Sequence, residues 1–139
     1  MADVVKDIMT KSVITVDEIT TALVAAKVMT DKGISSLIVL KEGNPVGIVS
    51  ERDFVKKICA KELQASKVSV GEIMSKIQTF AEPNTPIEVA VQRMVNHKIR
   101  RLPIIDNGKV IGIITVTDLA KYLRTTLLIQ GALPGRSES

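Results

Sequence analysis

Apolar residues recur along the chain in two rhythms, and the same succession of rhythms occurs twice. In the second half, Ile87, Ala90, Val91, Met94 and Val95 fall at i, i+3, i+4, i+7 and i+8, one apolar face of a helix. Pro86 suits that helix's first turn. In the first half, Ala22, Ala25, Ala26 and Met29 take the equivalent places. After each helix come two β-rich runs joined by a tight turn: residues 36–40 and 46–50 around Glu42-Gly43-Asn44, and residues 102–105 and 110–115 around Asp106-Asn107-Gly108-Lys109. Asn-Gly flanked by β-branched residues is a strong hairpin signal. A second helix is predicted over residues 51–61 and from 116 to about 128. A short helical turn (5–9; 70–74) and a brief extended piece (13–16; 77–80) open each half.

A shift of 65 residues superimposes the halves. Val5-Lys6-Asp7-Ile8-Met9-Thr10-Lys11 meets Val70-Gly71-Glu72-Ile73-Met74-Ser75-Lys76, Gly47-Ile48 meets Gly112-Ile113, and Asp53 meets Asp118. One compensated one-residue slip is expected between Ser12 and Leu23. The fold class is therefore mixed α/β (α+β): repeats over 1–64 and 65–128, a linker over 60–69, and a frayed tail over 129–139. A unit of ~55 residues with one apolar sheet face is marginal alone. Two copies related by a pseudo-twofold can bury those faces together.

Composition narrows the function. Hydrophobic residues make up 45% and charged residues 24%, which excludes a disordered chain. No apolar run reaches the ~18 residues of a membrane helix, and the opening Met1-Ala2-Asp3-Val4-Val5-Lys6-Asp7 is unlike a signal peptide. Cys59 is the only cysteine and His97 the only histidine. No internal disulfide or cysteine- and histidine-rich metal cage is expected, and a reducing, cytoplasmic setting is. Phe54, Phe80 and Tyr122 are the only aromatics, too few for base-stacking platforms. The net charge of +4 falls wholly in residues 65–139, a modest basic excess that permits nucleic-acid contact without arguing for it.

The chemistry concentrates where each second hairpin strand ends. Gly47-Ile48-Val49-Ser50-Glu51-Arg52-Asp53 and Gly112-Ile113-Ile114-Thr115-Val116-Thr117-Asp118 share glycine, two apolar residues, a hydroxyl, two variable positions and aspartate. Ser/Thr followed three residues later by an acid is a capping box, a structural device. A carboxylate in a first helical turn is also placed to accept hydrogen bonds from a vicinal diol such as ribose, beside a helix start that favours phosphate. Arg100-Arg101 opens the first hairpin strand of the second half. The pair is either a solvated strand end or a phosphate clamp, since guanidinium forks match phosphate oxygens. Ser35-Ser36 stands there in the first half.

On these residues the chain resembles a tandem pair of CBS domains, over roughly 5–125. The motifs are the paired Asp-Ile-Met-Thr and Glu-Ile-Met-Ser openings, Leu102-Pro103-Ile104-Ile105-Asp106, and the two Gly…Ser/Thr-x-x-Asp ends. The resemblance implies a β-α-β-β-α unit per repeat. It also implies clefts between the repeats that bind AMP, ADP, ATP or S-adenosylmethionine. By position it implies that Asp118 takes ribose hydroxyls with Thr115 and Thr117 nearby, that Ile77, Thr79 and Ile99 frame the base, and that Arg100 and Arg101 meet phosphate. The other cleft would use Asp53, Ser50 and Arg52, with Val13, Thr15 and Ile34 around the base. A homodimer is implied, with Leu119-Ala120, Leu123 and Leu127-Leu128-Ile129 either forming its interface or packing on their own sheet. The output would pass to another protein or to a dimer mate. The alternative is a ligand-free interaction or nucleic-acid-binding module using the basic second half.

No nucleophile–base pair stands out, so catalysis is not expected. Cys59 reads as a small core residue, His97 as a helix-end residue, and Met9, Met29, Met74 and Met94 as core fillers.

Overall fold

The computed structural model describes residues 3–131, which pack as two units that cut across the sequence repeats. One unit, here called the Asp53 unit, comprises Ser12–Gln78 with Asn107–Lys109. It runs β1 (Thr15–Asp17), α1 (Ala22–Lys32), β2 (Ser36–Lys41), β3 (Asn44–Ser50), α2 (Glu51–Phe54), α3 (Val70–Ile73) and β4 (Ser75–Lys76). The sheet order is β1-β2-β3-β4, with β1 parallel to β2 and the other pairs antiparallel. Glu42 and Gly43 take positive φ in the β2–β3 turn, the geometry whose twist matches a two-residue hairpin. Thr21 caps α1 by accepting the Val24 N–H at 3.2 Å, and Gly33, left-handed at φ 64, ends it. Ala22, Ala25 and Met29 of α1 pack with Leu37, Val39, Val49, Val70 and Ile73. Each fully buried aliphatic side chain there contributes about 1.5–3 kcal/mol.

The Asp118 unit comprises the chain up to Lys11, Thr79–Asp106 and the chain from Val110. Its elements are α4 (Ile87–His97), β5 (Arg101–Asp106), β6 (Lys109–Thr115) and α5 (Val116–Ile129). Single-residue bridges stand where the other unit has strands: Ala81 parallel to Ile104, and Thr10 antiparallel to Ile113. Val5, Ala81, Ala90, Met94, Leu102, Ile104 and Ile114 form the core.

The opening arm of each repeat therefore lies with the other repeat's sheet, and both arms are held alike. Val5 N–H donates to Thr85 O at 2.9 Å and Ile87 N–H to Asp3 O at 3.1 Å; Val70 N–H donates to Thr20 O at 2.8 Å and Ala22 N–H to Val68 O at 2.7 Å. Each arm's methionine covers a hairpin glycine. A Cβ on Gly112 would overlap Met9 Sδ and lie 3.0 Å from Thr10 O; one on Gly47 would overlap Met74 Sδ and lie 3.0 Å from Ser75 O. The repeated Met and Gly positions are thus one contact made twice.

Several expectations are corrected. Val16 pairs with Val39 and Ala81 with Ile104, so the repeats stay in one register at an offset of 65 with no slip. Residues 77–80 form no strand; the pairing lies on either side, at β4 and Ala81. The helix expected over 51–61 is α-helical only to Phe54 and continues as a π-helix over Val55–Cys59. Cys59 is exposed rather than in the core. Val95 is 64% exposed, because the buried stripe of α4 is Ile87, Ala90 and Met94. Met29 and Met94 are core residues, whereas Met9 and Met74 are half-buried over the glycines. Of the expected tail, Ile129 ends α5 and residues 132–139 lie outside the described residues. Among the described residues no helix is long and apolar enough to cross a membrane.

Candidate functional site

Asp118 sits one turn into α5 and is half-buried. Its Oδ2 accepts the Thr115 N–H at 3.0 Å and the Thr115 hydroxyl at 3.1 Å, while the Asp118 N–H donates to Thr115 Oγ1 at 3.2 Å. This is the capping box expected from the spacing. The outer oxygen, Oδ1, accepts the hydroxyl of exposed Thr10 at 3.3 Å.

The other candidates of this unit are gathered by backbone bonds. Val116 N–H donates to Arg100 O at 3.1 Å, which brings Arg100 and Arg101 beside the start of α5. Ile99 N–H donates to Met94 O at 3.0 Å and follows Lys98, the left-handed residue that ends α4. Arg100 and Thr117 are exposed; Ile99, Arg101 and Thr79 are half-buried. Thr79 precedes Phe80, whose carbonyl accepts from Arg93 Nη1 at 2.7 Å, and Ala81, which bonds β5. Ile77 belongs to the Asp53 unit, where its N–H donates to Val46 O at 3.0 Å.

The corresponding position in the Asp53 unit has the same frame and a different occupant. Glu51 N–H donates to Ser35 O at 3.1 Å, as Val116 does to Arg100. Asp53 Oδ2 accepts the Ser50 N–H at 2.8 Å and the Ser50 hydroxyl at 3.2 Å. Its Oδ1, however, forms an ion pair with Lys57 Nζ at 3.1 Å, and Lys57 Nζ also donates to Ile73 O at 2.8 Å. Asp53 is only 8% exposed. Arg52 and Thr15 are exposed, and Val13 and Ile34 half-buried. At the constant offset Thr79 corresponds to Ile14 and Ile77 to Ser12, so the two sets of base-framing candidates are not position-for-position equivalents.

Lys57 was absent from the residues singled out by sequence, although its i, i+4 spacing from Asp53 is a legible ion-pair signal. Its counterpart at the offset is Tyr122, whose hydroxyl donates to Asp3 Oδ2 at 2.7 Å. That bond to a carboxylate, first, and burial, second, push the phenol's pKa up. Glu72 caps the other arm through the Ser69 N–H at 2.8 Å, and that backbone bond holds its carboxyl below the usual range.

The comparison with known families is decisive for kinship. The CBS-domain family model matches residues 5–60 and again 70–125. The chain belongs to the CBS-domain family. A CBS pair of this kind is a regulatory ligand-binding module as a class. An uncharacterised protein of Methanopyrus kandleri is 37% identical over 128 residues, covering 88% of this chain, which in turn spans 65% of that protein. The CBS domain-containing protein YhcV of Bacillus subtilis is 35% identical over 116 residues, 84% of this chain and 82% of the relative. Among solved structures, a putative signal-transduction protein with CBS domains from Burkholderia ambifaria superimposes with a TM-score of 0.79 at 31% identity, covering 88% of this CBS pair and 95% of that chain.

Proposed function

We propose that this CBS pair binds an adenosine-containing ligand (AMP, ADP, ATP or S-adenosylmethionine) at the Asp118 position and signals its presence to a partner protein, without catalysing a reaction itself. The observation that carries the reading is the Asp118 carboxylate. One oxygen is fixed by Thr115, and the other accepts an exposed hydroxyl, that of Thr10, which a ligand hydroxyl can replace. A vicinal diol suits that oxygen, and Arg100 beside the same helix start supplies a cation for phosphate. Thr79, Ile99 and Arg101 lie in the same unit. A homodimer, in a cytoplasmic setting, is part of the reading. Val116 at 44% exposure and Leu123 at 56%, two turns apart on α5, leave an apolar side of that helix uncovered, which a second copy would bury.

The test is a melting panel with AMP, ATP, S-adenosylmethionine and GTP on the full chain. A ligand present at 100 times its Kd stabilises by about 2.7 kcal/mol, a rise of several degrees at this size. The reading expects that rise from at least one adenosine ligand and a smaller one from GTP. Unchanged midpoints with every adenosine ligand contradict it.

A further inference from the structure

We infer that Lys57 takes the place on Asp53 that a ligand diol would occupy, so that the chain carries one working ligand position, at Asp118, and not two. The inference rests on the function proposed above and specifies where it operates.

The two aspartates share their inner-oxygen chemistry and differ at the outer oxygen. On Asp118 that oxygen meets the hydroxyl of exposed Thr10, a neutral group 3.3 Å away. On Asp53 it holds an ammonium at 3.1 Å, and the aspartate is 8% exposed. Lys57 is not free to swing aside without loss, because the same nitrogen donates to Ile73 O at 2.8 Å. A sugar hydroxyl entering there would have to displace an ion pair in which both partners are charged, whereas its own bond to the carboxylate has only one charged partner. Charge adds to the asymmetry. The Asp53 helix opens with Glu51 and Arg52, whose charges cancel, where the Asp118 helix opens with Val116 and Thr117, and Ser35 stands where the other unit has Arg100. At these positions a phosphate-bearing nucleoside therefore meets one more positive charge beside the Asp118 helix than beside the Asp53 helix.

Calorimetric titration of the full chain with ATP as probe separates the outcomes. One equivalent bound per chain is expected. Asp118→Asn should weaken affinity at least tenfold, and Asp53→Asn should leave it within twofold. Lys57→Met, which frees the Asp53 oxygen, should bind a second equivalent of adenosine, a probe without phosphate, whereas Lys57→Arg should stay at one. Two equivalents in the unmodified chain, or equal losses from both aspartate variants, overturn the single position while leaving adenosine binding intact. A single equivalent of adenosine in folded Lys57→Met overturns the part assigned to Lys57. Should that variant not fold, the contrast between the aspartate variants still decides. Absence of any ATP binding overturns this inference, and the melting panel then shows whether the adenosine reading falls with it.

Discussion

One offset along the chain relates Asp53 to Asp118 and Lys57 to Tyr122, and the two units use these positions in opposite ways. In the Asp53 unit a lysine reaches back one turn, neutralises the aspartate and bonds Ile73 O in the arm. In the Asp118 unit the tyrosine turns to Asp3 in its own arm, and the outer oxygen of the aspartate accepts the Thr10 hydroxyl. The arms differ in the same sense. Ser69 and Glu72 close a short capping box at 2.8 Å, whereas Val4 N–H reaches Asp7 at 3.3 Å. Duplication thus preserved the frame of main-chain bonds, while side chains at matching places divided the work. In one unit the outer aspartate oxygen holds an ammonium; in the other it accepts a neutral hydroxyl.

The largest expected effect tests what the units share. Gly47→Ala and Gly112→Ala each push a Cβ into a methionine sulfur and against an arm carbonyl. Overpacking of this kind costs about 1–3 kcal/mol. Denaturant melts should show similar losses from both, and a loss at one glycine only would break the equivalence of the arm contacts. A smaller effect tests what separates the units. Asp53→Ala removes a cap and strands a partly buried ammonium, for roughly 2 kcal/mol. Asp118→Ala removes the cap alone, for about 1 kcal/mol. At roughly 3–5 °C per kcal/mol for a chain of this size, the difference is readable in a melting curve. Equal losses would mean that the Lys57 ion pair adds nothing to the Asp53 unit.

Much of this was legible in the residues. The hairpins came from β-branched runs around Glu42-Gly43 and Asn107-Gly108, because those turns need residues that tolerate positive φ. Both capping boxes followed from the hydroxyl–acid spacing, a local rule. What stayed hidden was non-local. The match of Met9 with Met74 identifies two copies of an arm but not which sheet each arm joins, since either assignment satisfies the pattern. The apparent slip arose because residues 77–80 read as extended, whereas the pairing residue is Ala81, too small to stand out. The exposure of Cys59 follows from a π-helical turn that leaves no periodic trace in so short a segment. The contrast between Lys57 and Tyr122 was present in the alignment of the halves, but both side chains read as ordinary helix-surface residues until their partners were seen.

Amide chemical-shift mapping of the full chain titrated with ATP tests the central claim most directly, because it reports where a ligand sits without altering a residue. The account predicts that shifts concentrate at Thr79, Ile99 to Arg101 and Thr115 to Asp118, with Ser50 to Asp53 nearly unmoved. Shifts centred on Ser50 to Asp53, or spread over basic surface residues and abolished by moderate salt, would contradict it.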